Sequence, residues 1–528
     1  MPENSTKMVK NKDFYRNEPY IKVEKTCGIR GESAADFILP DYMGDVKRLL
    51  KFSACAVPSS KYLSDSEASF LGSVCFRVMY LDSDDKLTEA TFSSEYELQR
   101  PLPKSYTDAM IETEVQSVAV RLGGPRKMNA RASLSHSVYV TRSCEKSYEG
   151  LTTDCEMQKC EKMIHGAKYL ASDSREVAEE LGRLDGVSSD EVEVIKCECT
   201  TAVKSTEISE GGVEIKGEAC LCAVICVGDE ILRLEKKIPF EEMLKCDDSV
   251  PMNASACAKL YCVSSSVNVN NENSADGAGC YAAVVMSAIL ECFAAVDYNL
   301  PHSVITDAFL PYAVSECDYE ELTFSEIVYR HTESKSFAAQ TGKKEWGVDK
   351  IRDVIECDAK PTWVKCELSE KEMTIISEIV FNVVARGGDD NGYLSLRCPL
   401  EYKRTVNLSS DMSDTTPRVR FSVSDAKLMH DSDKLYFSCE VGEDVMLESE
   451  RTERVLKSIE TCPKNESLQR RITVLFASAE ETLFDIAKRY SVRLCDLVKH
   501  NFDTIPPAAM EDFARPLGEK KRLIVVNE

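Results

Sequence analysis

Histidine is scarce in this chain, and what is missing around it narrows the chemistry available. Six histidines stand among 528 residues, no two of them within five positions, and none belongs to an H-E-x-x-H pattern. A helical zinc-hydrolase site therefore has no ligands to draw on, and each histidine reads as a surface or turn residue. Nucleophile elbows and phosphate-binding glycine loops are also missing. The nearest approach, Gln340-Thr341-Gly342-Lys343, lacks the leading glycine and the following Ser or Thr. No run approaches the roughly 20 apolar residues of a membrane-spanning helix. The first twenty residues have no apolar core and no small-residue cleavage site, so no secretory signal is read there and a cytoplasmic location is expected. The chain is expected not to be an enzyme. No catalytic residue, cofactor or metal is assigned.

Positive charge is in deficit as well: 65 Lys and Arg stand against 89 Asp and Glu, a net charge of −24. That balance disfavours nucleic acid or an anionic membrane as a general partner. From Arg471 onward basic and acidic residues are equal in number, so the acidity belongs to the upstream segments. Cysteine, by contrast, is abundant at 23 residues. Without an export signal these thiols are expected to stay reduced. Many occupy strand positions where small apolar side chains belong, among them Cys75, Cys197, Cys199, Cys220, Cys222, Cys226, Cys280, Cys292 and Cys439. The C-x-C spacings at Cys197/Cys199 and Cys220/Cys222 are not the C-x2–4-C pairs of structural zinc sites, and core thiols are the expectation.

One pattern is present three times. Residues 215–240, IKGEACLCAVICVGDEILRLEKKIPF, read as a strand, a tight turn at Gly228-Asp229-Glu230 and a returning strand. Ala219, Leu221, Ala223 and Ile225 share one face of an extended chain, and Cys220, Cys222, Val224 and Cys226 share the other. Residues 70–99 repeat the pattern with Val74, Phe76, Val78 and Tyr80 on one face. Residues 375–404 repeat it again with Ile379, Phe381, Val383 and Ala385. Residues 82–85 and 387–390 supply the Asp and Gly that hairpin turns favour. Three copies of one hairpin imply three related modules.

The expected fold is mainly β: three tandem β-rich modules followed by a small α+β domain of βααβ order. A polar tail over residues 1–19 precedes module 1 (20–150), module 2 (155–310) and module 3 (318–447). Residues 448–469, charged and apolar-poor, read as a linker, and 470–528 form the last domain. In module 1 a lead strand starts at Tyr20, Leu39-Pro40-Asp41 makes a turn, and 46–58 is a strand. Two closing strands, 109–122 and 130–141, are joined through Gly123-Gly124, which is expected to supply positive φ. Module 2 is expected to open with a helix of about three turns capped by Ser172 or Ser174, with Val177, Leu181 and Leu184 as its apolar stripe. It also holds a long polar loop at 264–279. Module 3 matches the same strand at 351–363 and closes with 418–428 and 434–447.

The C-terminal segment carries a specific pattern. Thr482-Leu483-Phe484-Asp485-Ile486-Ala487-Lys488-Arg489-Tyr490 is followed by Asn501, Pro516-Leu517-Gly518 and Leu523-Ile524-Val525. In this it resembles the LysM domain. Two departures stand out: Glu480-Glu481 replaces the family's Gly-Asp pair, and PPAAMEDFA enlarges the loop after Asn501. The upstream modules resemble the SPOCS module of endospore-forming bacteria. The carriers are Ile38-Leu39-Pro40-Asp41, the strand motif around Gly72 and Gly217, and the turn Arg121-Leu122-Gly123-Gly124-Pro125-Arg126-Lys127.

Three such modules and one LysM domain are the arrangement of the SipL-like family of spore-coat morphogenetic proteins. The resemblance implies a non-enzymatic adaptor in the mother-cell cytoplasm, at the outer forespore and spore-coat surface. Its LysM domain would bind the ATPase of the coat basement layer, and its SPOCS modules other coat components. A peptidoglycan-binding role at the cortex or cell wall is the alternative, which the added carboxylates and longer loop disfavour. Candidate partner-binding residues are Ile472, Glu480, Glu481, Thr482, Leu483, Phe484, Asn501, Phe502, Asp503, Thr504 and Ile505. For Phe484 two readings stay open, core residue or aromatic anchor of a protein interface.

Overall fold

Strands of alternating polarity need a partner sheet over their apolar face, and each repeated hairpin finds one within its own module. The computed structural model describes residues 14–16, 19–209, 211–246, 251, 253–273, 280–348, 350–387, 392–463 and 471–527. It is mainly β. Every strand pairing among the described residues is antiparallel except one parallel bridge, Ser458 to Glu149. In module 1 the hairpin strands Glu67–Asp82 and Leu87–Pro101 are joined by Val46–Leu63. The corresponding trios are Val192–Ser209, Gly212–Val227 and Glu230–Lys245 in module 2, and Ile351–Leu368, Glu372–Gly387 and Tyr393–Asn407 in module 3.

A second sheet covers each trio. Tyr20–Ile38, Lys127–Cys144 and Tyr106–Gly124 form it in module 1. Module 2 uses Arg175–Asp185, Ser255–Asn273 and the 30-residue strand Cys280–Phe309, along which Glu156–Ala171 also pairs. Module 3 uses Ala313–Gly342, Lys434–Pro463 and Thr416–His430. Val74, Phe76 and Val78 pack against Met128, Ala130 and Ala132 in module 1. Leu221 meets Met286 and Ala288 in module 2, and Phe381 meets Phe437 in module 3. A fully buried Phe such as Phe76 or Phe381 contributes about 2 to 3 kcal/mol.

The two sequence signatures of module 1 meet in space. The Leu39 N–H donates to the Arg126 carbonyl at 2.9 Å. The Arg126 guanidinium donates to the carbonyls of Pro40 (2.7 Å) and Met43 (3.1 Å) and to Asp45 (2.9 Å). One arginine thus ties the Leu39-Pro40-Asp41 turn to the closing hairpin.

The three hairpin sheets also use their outer faces. Each first strand slips register by one residue at the same place, Leu50, Ile195 and Ile355, opposite Met79, Val224 and Val384. Such a bulge re-aims side chains, and all six gather with Leu81 and Leu87 into one buried cluster shared by the three modules. The next residue in each strand is charged: Lys51, Lys196 and Glu356. The Glu356 carboxylate pairs with both lysines, all three side chains being at most 7% exposed. Asp358 joins Lys51 at 2.5 Å, Glu198 joins Lys196 at 2.6 Å, and Arg77 reaches Glu198 at 2.7 Å. A second charged junction connects the covering sheets. Arg420 of module 3 meets Glu112 of module 1 at 2.8 Å, and Asp297 of module 2 accepts from His165 at 3.1 Å and from Arg418 at 3.4 Å. Arg418 also lies over the Tyr139 ring, 4.4 Å from its centroid.

Several expectations are corrected. Residues 175–185 form a strand, not a helix; the bulge between Glu180 and Gly182 turns the Val177/Leu181/Leu184 spacing into one strand face. The linker reading fails over 448–463, which continue the strand Lys434–Pro463 against Ala313–Gly342 with Val455, Leu456 and Ile459 buried; 464–469 lie outside the described residues. The polar loop is strand as far as Asn273, and 274–279 lie outside. Neither Gly123 nor Gly124 has positive φ, because the turn is made by Pro125-Arg126. In the supposed tail, Phe14–Arg16 pairs with Ser147–Glu149; 1–13, 17 and 18 lie outside, as do 388–390 of the third turn. His136, His165 and His302 are buried and not at the surface: Thr113 Oγ1 lies 2.9 Å from His136 Nδ1, Asp297 lies 3.1 Å from His165 Nε2, and the His302 ring packs on Tyr20, 4.4 Å between centroids. Cys280, at a strand start, is exposed.

Removing one member of a buried charge cluster strands the others. Glu356→Ala is expected to destabilise the protein by about 3 to 5 kcal/mol, read as the shift of the urea midpoint; a change below about 1 kcal/mol would show the cluster to be solvated. Acid should act at the second junction. Burial alone would raise the Glu112 carboxyl, but Arg420, Lys259 and Arg418 outweigh it and hold it down at about 2. A depressed carboxylate stabilises the fold above its unfolded pKa and loses that effect as pH falls through the folded value. Between about pH 5.5 and about pH 2.5 the Glu112→Gln protein should therefore lose about 2 to 3 kcal/mol less stability than wild type.

Candidate interaction surface of the C-terminal unit

The strands Arg471–Ala477 and Lys521–Asn527 pair antiparallel and enclose helices α1 (Leu483–Tyr490), α2 (Leu494–Asn501) and the short α3 (Pro507–Glu511). Helix α3 is made from the PPAAM insertion, with proline at its first turn. Thr482 caps α1: its hydroxyl oxygen accepts from the Asp485 N–H at 3.0 Å, and the Asp485 carboxylate accepts back from the Thr482 N–H at 3.4 Å. Glu481 is held in place too. It accepts the Ser478 N–H at 2.7 Å and pairs with Arg489, and these two contacts hold its carboxyl below the usual range. Asn501 staples α2 to the last strand. Its amide donates to the carbonyls of Leu497 and Ile524, each at 2.7 Å, and accepts from the Ile524 N–H at 2.6 Å.

The sequence-derived candidates fall into two classes. Leu483, Phe484, Asn501 and Ile505 are buried, so the anchor reading of Phe484 is corrected: at 1% exposure it completes the core. It meets Phe309 of module 2 edge-on, with ring centroids 5.3 Å apart. The reason is that the unit docks on module 2. Lys488 pairs with Asp307 at 2.5 Å, the Tyr312 hydroxyl reaches Asp496 at 3.0 Å, and the Tyr312 N–H donates to the Ser491 carbonyl at 2.8 Å. Ile472, Glu480, Phe502 and Asp503 are exposed, while Glu481, Thr482 and Thr504 are partly covered.

Sequence reasoning missed part of this surface. Leu475, Ala477, Leu523 and Val525 fill the core, and the opposite face of the same two strands bears Ile472, Val474, Phe476 and Ile524. Ile472 is 74% exposed and Phe476 78%, with Val474 directly opposite Ile524. Phe502, next to the Asn501 staple, is also exposed. The signal was legible as a strand apolar on both faces, R-I-T-V-L-F-A, in a domain with a single core. An apolar sheet face left uncovered marks an interaction surface.

No protein-family model matches the chain, and no curated protein matches it. Among the described residues no three His, Cys, Asp or Glu side chains gather as metal ligands, and no helix is long and apolar enough to cross a membrane.

Asn501→Ala removes three hydrogen bonds inside this unit. It should cost about 1 to 3 kcal/mol and speed amide exchange across residues 521–527 while leaving the module 1 hairpin unchanged. Uniform exchange in both mutant and wild type would refute the staple.

Proposed function

We propose that this chain is a non-enzymatic adaptor in endospore coat assembly. Its C-terminal LysM-like unit binds the ATPase of the coat basement layer, and its three SPOCS-like modules contact other coat components at the forespore surface in the mother-cell cytoplasm. The observation that carries the reading is the uncovered apolar face of Ile472, Val474, Phe476 and Ile524. A large apolar patch suits a protein partner, whose aromatic and aliphatic anchors fill shallow pockets. None of these four side chains offers a hydrogen bond to the hydroxyls of a glycan chain. Arg522 stands opposite Phe476 at the rim of the face and adds a positive charge to it.

Phe484 enters this reading differently from the exposed residues. Its side chain supports the unit from within, so its truncation acts through folding.

The LysM pattern also motivates peptidoglycan binding, and one experiment separates the two. The full chain is tested for retention by the immobilised basement-layer ATPase and by insoluble peptidoglycan. Binding to the ATPase is expected, weakened at least tenfold by Phe476→Asp with an unchanged unfolding transition. Retention on peptidoglycan alone, indifferent to Phe476→Asp, would overturn the adaptor reading.

A further inference from the structure

A cavity of about 1160 Å³ opens between modules 1 and 2, and cysteines line it: Cys55 and Cys75 from module 1, Cys197 and Cys262 from module 2. Cys55 and Cys75 are direct partners across the antiparallel strands Val46–Leu63 and Glu67–Asp82. Directly opposed residues in such a pair have Cα atoms about 4.5 or 5.5 Å apart. Both spacings fall in the window of roughly 4.4 to 6.8 Å that a disulfide spans. Both are free thiols, with Cys55 exposed and Cys75 half-buried.

The surroundings distinguish the two thiols. The neighbouring Cys75 thiol, with Lys360 and Arg77 nearby, brings the Cys55 thiol down. Lys360 belongs to module 3, and its ammonium donates to the Ala54 carbonyl beside Cys55 at 3.1 Å. Against these cations stands Glu198, which pairs with Arg77. Cys75 is pushed up, chiefly by its Cys55 neighbour and then by burial. Near neutral pH one thiol of the pair is the nucleophile and its neighbour holds a proton.

We propose that Cys55 and Cys75 form a thiol–disulfide exchange site for low-molecular-weight disulfides that enter this cavity. The Cys55 thiolate attacks one sulfur of the reagent; the reagent's S–S bond breaks, and one thiolate leaves and is protonated by solvent. Cys55 then carries a mixed disulfide and no charge, which removes the negative charge that holds the proton on Cys75. Cys75 loses its proton to water and attacks the Cys55 sulfur, expelling the second thiolate. Two protein thiols are oxidised to one Cys55–Cys75 disulfide, and one disulfide is reduced to two thiols. The bond joins two strands of the sheet that also bears Leu50 and Lys51.

Cys199 and Cys262 make a second thiol pair in module 2, but Cys199 is buried and is not one of the residues lining the cavity.

The test treats the full native chain with glutathione disulfide, then quenches, alkylates and maps the peptides by mass spectrometry. The Cys55–Cys75 link is expected first among the 23 cysteines, forming at least tenfold faster than any adduct at the exposed Cys280 or Cys495. Cys75→Ala should stop the reaction at a glutathione adduct on Cys55. Independently, the alkylation midpoint of Cys55 in the wild type should lie below that of an ordinary thiol and move upward in Cys75→Ala. Three results would overturn the proposal: modification of Cys55 no faster than of Cys280 and Cys495, a lasting wild-type adduct that never closes on Cys75, or closure onto Cys197 or Cys262 instead.

Discussion

Two lysines and one glutamate occupy the same position in three repeats, and they meet. That arrangement constrains the whole molecule, because Lys51, Lys196 and Glu356 are buried where an isolated charge is very costly. Three lysines there would repel, and so would three carboxylates. The repeats therefore have to differ at this point, and each module supplies what another lacks. Buried ion pairs are weak evidence for net stability, but they discriminate strongly between arrangements. Here the apolar cluster around Leu50, Ile195 and Ile355 provides favourable burial, and the charges select which modules meet and in what register.

The consequence is one body in place of beads on a string. The first strand of each hairpin is buried on both faces near its turn, by its own sandwich on one side and by the shared centre on the other. The junction around Glu112, Arg420, Asp297 and Arg418 ties the covering sheets in the same way. The C-terminal unit, docked through Phe309–Phe484 and Asp307–Lys488, extends that body. Its apolar sheet face lies on the strands that take no part in those contacts. A body of this kind holds several binding faces at fixed separations, which raises effective concentration at a polymeric surface when the spacing matches.

Much of the fold was legible because alternation is a strong signal. Phe76, Leu221 and Phe381 sit at matching places in three hairpins, and all three point into a sandwich core. The helices of the last unit were equally plain, from the Thr482 cap to the Leu494/Leu497 stripe. What stayed hidden depended on register. The bulge at Leu181 gave Val177, Leu181 and Leu184 a helical spacing inside a strand. The charged run after Glu448 looked like linker because its outward residues are solvated, although Val455 and Leu456 were there to be read as buried. The face of Ile472, Val474 and Phe476 was half visible, since a strand apolar on both sides has no single-core explanation. Contacts between modules, including the partner of Glu356 and the one of Phe484, leave no trace in local pattern.

The claim that the modules are organised by complementary buried charge is tested most directly by permuting the charges. Lys51→Glu and Glu356→Lys are made singly and together, and stability is followed by urea unfolding of the full chain. Each single change should be severely destabilising. The double mutant keeps two lysines and one glutamate at the centre, so it should recover much of the loss, with a coupling of at least about 1 kcal/mol. Strictly additive losses would show that the three charges do not share one site, and the account of the assembly would fail with them.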